Sequence, residues 1–147
     1  MQRPFESILV AVDGSDHAYA AVRTATRLAV ALSAKLTIMT AYHAPSDALG
    51  EPNYSRALGQ ALTDAQRVLD EARSVAVNAG ARDPQVEALA GSPARTIIET
   101  AGAGGYDLVV VGSRGHSRLG AALLGSVSSE VAAQAGRPVL VVGGAAA

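Results

Sequence analysis

Residues 107–130 read DLVVVGSRGHSRLGAALLGSVSSE, a short apolar run followed by a long stretch rich in glycine and serine. A continuous apolar run bounded by turn-forming residues is typical of a strand buried on both faces of a parallel sheet. A simple connection from such a strand to the next helix needs about 2–6 residues. The connection here spans more than ten residues and has glycine at four separated positions. We therefore expect it to do more than join two elements.

The rest of the chain alternates strand-like runs with helical periodicity. Strands are predicted at residues 8–12, 36–42, 86–89, 107–111 and 138–142, and helices from Asp16, from Leu58 to Gly80, from Pro93 to about Gly102, and from Ser126 to Ala135. Ser15 or Asp16 can cap the first of these helices, and Ser92 the third. Consecutive parallel strands must be joined across the sheet, usually by a helix. The order predicts an α/β fold whose parallel sheet has helices on both faces.

Composition limits the classes of function. With 147 residues, 49% hydrophobic and 17% charged, the chain is predicted to form one globular domain over residues 1–147. A formal net charge of -1 without a basic block disfavours binding to bulk nucleic acid. The absence of cysteine excludes disulfides and fits a reducing compartment. No apolar run approaches the roughly 18 residues of a membrane span, so we expect a soluble, cytoplasmic protein with no membrane partner.

Two predicted loops carry unusual residues at the carboxyl ends of strands, where open parallel sheets bind ligands. Residues 12–15 read VDGS, and the second loop runs from Gly112 to Gly125. The first amides of the helix that follows Gly125 lack intrahelical partners and favour an anion, with Ser126 and Ser128 as hydroxyl donors. If the first and fourth strands are neighbours, both loops line one phosphate-binding cleft. Asp13 also fits a second interpretation, as a capping residue of the first helix, and both can hold together.

Other ligand-binding and catalytic motifs are absent from the sequence. A P-loop needs a lysine after its second glycine, and the single lysine, Lys35, is far from either glycine loop. A dinucleotide-binding loop needs more glycines after the first strand than Gly14 alone. Three histidines without cysteine are poor material for a metal cluster, and His17 is expected to be a solvated residue of a first helical turn. Nothing indicates a catalytic triad.

The chain resembles the ATP-binding branch of the universal stress proteins along its whole length. The nucleotide signature of that family, G-x2-G-x9-G-[S/T], is matched by Gly112, Gly115, Gly125 and Ser126. The VDGS turn at residues 12–15 and the RPVLVV ending at residues 137–142 match as well. Each piece is weak alone, but together and in this order they are specific.

The resemblance implies a five-stranded parallel sheet of order 3-2-1-4-5, like that of the adenine nucleotide alpha hydrolases, and ATP as ligand with Mg2+ or Mn2+. It implies an adenine wall at Ala11, Val12 and Ala41, a carboxylate near the ribose or the metal ion at Asp13, a phosphate and ribose loop at Gly112, Arg114 and Gly115, and a phosphate cradle at Gly125, Ser126, Val127 and Ser128. The signature does not fix the stretch that contains Arg114, His116 and Arg118, which either screen phosphate charge or are solvated.

The function implied is that of an ATP-binding stress-response protein in which nucleotide occupancy sets the state of a homodimer. The apolar last strand, residues 139–142, lies at a sheet edge in this order and is predicted to form the dimer contact. No general base is evident, so hydrolysis is expected to be slow at most; self-phosphorylation would use Ser113, Ser117 or the serines of residues 126–129. The alternatives are a nucleotide-free interaction module of the same fold and an adenylyl-transferring enzyme, whose characteristic loops are absent. The sequence does not identify a protein partner.

Overall fold

The computed structural model describes residues 4–114 and 124–143, and these form one parallel sheet in the order β3-β2-β1-β4-β5. The strands are β1 (Ser7–Ala11), β2 (Lys35–Tyr42), β3 (Gln85–Ala90), β4 (Leu108–Gly112) and β5 (Val139–Val142). The helices are α1 (Asp16–Leu32), α2 (Asn53–Asn78), α3 (Pro93–Ala103) and α4 (Ser126–Gln134), with a 3-10 turn at Asp47–Leu49 before α2. The predicted sheet order is confirmed, and β1 and β4 are neighbours.

Alternate residues of each strand face opposite helical layers. In β1, Ile8 and Val10 pack into a core with α1 and α2, whereas Leu9 packs into a second core with α3 and α4. The central strands are thus buried on both faces, which explains why their sequences read as continuous apolar runs instead of alternating ones.

Helix boundaries show where the sequence pattern was incomplete. Ser15 caps α1 as predicted, since its Oγ accepts from the Ala18 amide at 3.3 Å. Ser92 precedes α3 as predicted, but its side chain makes no capping hydrogen bond; its carbonyl oxygen instead accepts from the Thr96 hydroxyl at 2.7 Å.

Helix α2 begins at Asn53, five residues before the predicted Leu58. The spacing of apolar residues does not reveal this first turn, because residues 51–53 and 55–56 are exposed and the turn buries little apolar surface. The turn is stabilised by the Glu51 carboxylate, which accepts from the Ser55 amide at 3.0 Å and from its hydroxyl.

Two polar residues fasten the amino edge of the sheet. The Asp107 carboxylate accepts from the amides of Glu6 and Ser7 at 2.9 and 3.1 Å, which joins the starts of β4 and β1. The Arg137 guanidinium donates to the carbonyl oxygens of Ala101, Tyr106 and Ala135 at 2.6–3.0 Å. Arg137 thereby holds the end of α4 near the end of α3, while the start of α4 lies at the opposite edge of the sheet.

Candidate functional site

A cleft of about 250 Å³ lies at the carboxyl ends of β1, β2 and β4, between the starts of α1, α3 and α4. It brings together every predicted nucleotide-binding residue that the structure describes: Ala11, Val12, Asp13, Ala41, Gly112, Arg114, Gly125, Ser126, Val127 and Ser128. Gly115, His116, Ser117 and Arg118 lie outside the described residues. The cleft is the one expected from the adjacency of β1 and β4, and the binding roles of its residues remain predictions.

Sequence reasoning missed part of the apolar wall. The additional lining residues are Ala18, Met39, Pro93, Ile97 and Val111. Two of them had a usable signal. Met39 is two residues before Ala41 and therefore faces the same side of β2, and Pro93 opens the helix that follows the carboxyl end of β3.

The β1–α1 turn is held against β2 by two hydrogen bonds. The Val12 amide donates to the Met39 carbonyl at 2.9 Å, and the Thr40 hydroxyl donates to the Val12 carbonyl at 2.7 Å. Asp13 follows, exposed at the mouth of the cleft, and its Oδ1 accepts from the amide and the hydroxyl of Ser15 at 3.0 and 2.6 Å. Asp13 therefore orders the turn that enters α1 and also lines the cleft, whereas the capping residue of α1 is Ser15 and not Asp13.

The two described ends of the β4–α4 connection meet at Ser113. Its carbonyl oxygen accepts from the Gly125 amide at 2.6 Å and from the Ser128 hydroxyl at 2.9 Å. A Cβ atom at Gly125 would lie 3.2 Å from Ser113 O and from Arg114 Cα, tighter than ordinary contact. Glycine at position 125 thus lets the two ends approach each other.

The Ser128 side chain takes part in the β4–α4 connection. Its hydroxyl is buried and directed to the carbonyl oxygens of Ser113 and Gly125. It stabilises the connection through these bonds, and a contact of Ser128 with a phosphate stays a prediction. The other predicted anion-binding groups at the start of α4 are the backbone amides of its first turn, which have no intrahelical partners, and the exposed Ser126.

His17 differs from its prediction. Its ring is half-buried, and its Nδ1 is hydrogen-bonded to the Ser113 hydroxyl at 3.0 Å. The first turn of α1 is thereby joined to the end of β4. No sequence signal connects two residues that are 96 positions apart.

The charged residues among those lining the cleft are Asp13 and Arg114. Within residues 4–114 and 124–143, no group of three or more histidine or acidic side chains is arranged to hold a metal ion. In the same part of the chain, no helix has the length and hydropathy needed to span a bilayer.

Comparisons with known proteins agree with this architecture. The model of the universal stress protein family matches residues 4–143. A universal stress protein of Thermus aquaticus is 40% identical over 138 residues, which cover 94% of this chain and 98% of the relative. The structure of a universal stress protein from Lactobacillus plantarum has a TM-score of 0.82 at 28% identity and covers 94% of this chain and 97% of that one.

A further solved structure is informative about ligands. It is a universal stress protein in complex with cAMP, with a TM-score of 0.72 at 34% identity, covering 94% of this chain and 96% of that one. An adenine nucleotide is therefore bound by a homologue of the same fold. With the family model matching nearly its whole length, this chain belongs to the universal stress protein family.

Proposed function

We propose that this protein binds ATP in the cleft and that nucleotide occupancy sets the state of a homodimer that acts in the stress response. One observation carries the proposal: an apolar wall and the first turn of a helix line the same cavity. An adenine ring needs the former, and a phosphate chain needs the latter. The cAMP complex of a homologue supports an adenine nucleotide as the ligand class.

The adenine ring fits the apolar end of the cleft. Ala11 and Ala41, at the ends of β1 and β2, are small and leave room above the strand ends. Met39 and Ile97 present apolar surface from the sheet and from α3. With few polar side chains in this region, the base is recognised by backbone groups at the strand ends.

The phosphates fit the start of α4. Gly125 precedes the helix without a side chain over its first amides, so an anion can approach them closely. The helix dipole contributes about 0.3–1 kcal/mol to such binding at an exposed site. Arg114, which also lines the cleft, adds a positive charge on the same side.

The cleft offers a divalent ion one carboxylate, which is enough when the nucleotide phosphates supply further oxygen ligands. Mg2+ is commonly held by one or two carboxylates together with substrate phosphates, and does not require an all-protein cage. Asp13 supplies one carboxylate at the mouth of the cleft. The ion, Mg2+ or Mn2+, would neutralise phosphate charge, with Asp13 holding it opposite α4.

Dimerisation is assigned to the β5 edge. Among the described residues β5 pairs with β4 alone, and Val139–Val142 is half-buried throughout. An apolar edge strand of this kind offers its backbone groups to a second copy. The Ser113 amide donates to the Val142 carbonyl at 2.7 Å, which places the end of β5 beside the nucleotide cleft.

The role is that of a nucleotide-dependent regulator in the cytoplasm, with at most slow hydrolysis. Asp13 and Arg114 are the charged groups among the described lining residues, and both are assigned to binding. Fast hydrolysis would require, in addition, a general base positioned to activate a water molecule.

The decisive experiment is ligand analysis followed by calorimetry. Mass spectrometry of the supernatant released by heating the purified protein is expected to detect an adenine nucleotide. Ligand-stripped protein is then titrated with ATP, AMP, cAMP and GTP, with magnesium present; we expect heat with ATP and little with GTP. No heat with any adenine nucleotide at millimolar concentration would refute nucleotide binding. A clear preference for cAMP over ATP would keep the adenine site and refute the assignment to ATP.

A further inference from the structure

Ser113 is placed where the nucleotide cleft is assembled, yet its own side chain does not line it. Its neighbours Gly112 and Arg114 both line the cleft. The backbone of Ser113 is engaged on both sides: its amide donates to Val142 of β5, and its carbonyl oxygen accepts from Gly125 and Ser128. The end of β4 and the start of α4 are therefore fixed relative to each other through this one residue.

The Ser113 hydroxyl makes the remaining connection, to α1. It is hydrogen-bonded to Nδ1 of His17 at 3.0 Å. His17 lies in the first turn of α1, four residues after Asp13. The bond thus joins the side of the cleft that carries Asp13 to the side that carries the start of α4. Because the hydroxyl points to His17, it is poorly placed to accept a phosphoryl group from a nucleotide in the cleft.

A close backbone approach makes this bond possible. A Cβ atom at Gly112 would lie 2.8 Å from the carbonyl carbon and oxygen of His17. Only glycine at position 112 lets the end of β4 come this near to α1. The imidazole Nδ1 then lies within hydrogen-bond distance of the hydroxyl of Ser113, the next residue of the chain.

We infer that the His17–Ser113 hydrogen bond sets the distance between the two sides of the cleft, and that His17 and Ser113 are positioning residues for the phosphate chain. The inference rests on the proposed function, in which Asp13 and the start of α4 act on the same nucleotide. Neither His17 nor Ser113 is among the residues that line the cleft, and the predicted adenine wall lies at Ala11, Val12 and Ala41, at the ends of β1 and β2. Loss of the bond therefore alters the phosphate end of the site and leaves the adenine end intact.

The difference between the adenine end and the phosphate end gives a measurement that distinguishes positioning from a general effect on the structure. Binding of adenosine, which has no phosphate, is compared with binding of ATP and magnesium by calorimetry. We expect His17→Ala and Ser113→Ala to weaken ATP binding by about 2- to 10-fold, the range that loss of one uncharged hydrogen bond gives. Adenosine affinity is expected to stay within about 2-fold of the wild-type value, since the adenine wall is unchanged.

Three further variants complete the test. His17→Asn and Ser113→Thr retain a hydrogen-bonding group at the contact and are expected to restore most of the ATP affinity. The double variant His17→Ala with Ser113→Ala should be no worse than either single variant, because both remove the same interaction. Urea unfolding of each variant checks that the protein is folded, and if His17→Ala does not fold, Ser113→Ala and His17→Asn carry the comparison.

The outcomes separate the two proposals. Failure of the wild-type protein to bind ATP would overturn the proposed function, and this inference with it. If the wild-type protein binds ATP and the single variants bind it equally well, or lose adenosine and ATP affinity in the same proportion, the positioning role alone is wrong.

Discussion

Gly112 and His17 meet through their backbones, because a Cβ atom at Gly112 would come within 2.8 Å of the carbonyl group of His17. The Gly112→Ala variant must push α1 away from the end of β4, since backbone on one side cannot move aside as a flexible side chain does. We expect a loss of about 1–3 kcal/mol in the free energy of unfolding, the usual cost of overpacking. Equilibrium unfolding in urea measures it.

Gly59 provides the matched control for that loss. It lies in α2, and a Cβ atom there would meet nothing within 4 Å. The Gly59→Ala variant is expected to gain about 0.5–1 kcal/mol, because alanine loses less backbone entropy in a helix. A Gly112→Ala protein as stable as wild type would show that the approach of α1 to β4 is not tight.

The Gly125→Val substitution tests the phosphate cradle. Its Cβ would start 3.2 Å from the Arg114 Cα and the Ser113 carbonyl oxygen, and the added methyl groups must displace the loop or occupy phosphate space. We expect calorimetry to detect no ATP binding, with the circular dichroism of the folded protein retained. Gly59→Val, which is outside the cleft, should bind ATP as wild type does. Normal ATP affinity in folded Gly125→Val protein would place the phosphates elsewhere.

The Asp13→Asn substitution tests the metal assignment. The amide oxygen of asparagine can still accept from the Ser15 amide, as Asp13 does at 3.0 Å, so the turn should persist. The charge that would hold a divalent ion is lost. We expect the increase in ATP affinity on adding magnesium to disappear in Asp13→Asn, measured by calorimetry with magnesium and with EDTA. Asp16→Asn, a neighbouring exposed carboxylate, should keep the magnesium effect; an unchanged effect in Asp13→Asn would remove Asp13 from the metal site.

The Tyr19 hydroxyl should lose its proton well above the ordinary pKa of a tyrosine. Burial, and then the hydrogen bond that its hydroxyl donates to Glu71 at 2.8 Å, raise the pKa of Tyr19 from 10.0 to about 12. The folded state holds this proton more tightly than the unfolded state. The associated stability is therefore complete below pH 10 and is lost as the pH rises from 10 through 12.

Absorbance titration of tyrosinate checks this prediction. The Tyr19→Phe variant should lack the step near pH 12 and show a smaller loss of stability between pH 10 and pH 12 than wild type. Glu71→Gln should move the step to lower pH, because it removes a negative charge beside the phenol. A step near pH 12 that survives Tyr19→Phe would belong to another residue.

The cleft could be predicted from sequence because local residue types mark the ends of the strands and helices that form it. The apolar run of β4 ends at Gly112, and Gly125 directly precedes α4, so both ends of the connection are marked by residue type. The β1–α1 turn is marked in the same way by Asp13 and Ser15. Local patterns do not determine which strands are neighbours in the sheet. The adjacency of β1 and β4 was predicted from the family resemblance.

What the sequence did not show depends on contacts between distant segments. Ile97 faces the cleft only because α3 packs over the carboxyl end of the sheet. The contact of His17 with Ser113 and the inward turn of the Ser128 hydroxyl depend on the exact separation of α1, β4 and α4. The start of α2 was missed for a different reason: an exposed first turn carries no hydrophobic period.

The backbone direction of β5 identifies the groups that a second copy would meet. The carbonyl oxygens of Pro138 and Val142 accept from the amides of Val109 and Ser113 at 3.1 and 2.7 Å. Residues of a parallel strand alternate in the neighbour to which their backbone groups point. Leu140 therefore faces β4 as Pro138 and Val142 do, whereas Val139 and Val141 direct their amides and carbonyls to the open edge of the sheet.

Val141→Pro is the selective test of dimerisation through this edge. Proline removes an amide that points away from β4, so the hydrogen bonds between β4 and β5 persist, while a second strand loses a donor and meets the pyrrolidine ring. In sedimentation velocity runs at micromolar concentration, we expect the wild-type protein to be a dimer and Val141→Pro to be a folded monomer. Ser46→Pro, a change in an exposed residue before the 3-10 turn, should remain dimeric. A wild-type protein that sediments as a monomer with and without ATP would contradict the predicted homodimer. A dimeric Val141→Pro protein would show that the interface is not at β5, because a strand added at this edge depends on the amide that the substitution removes.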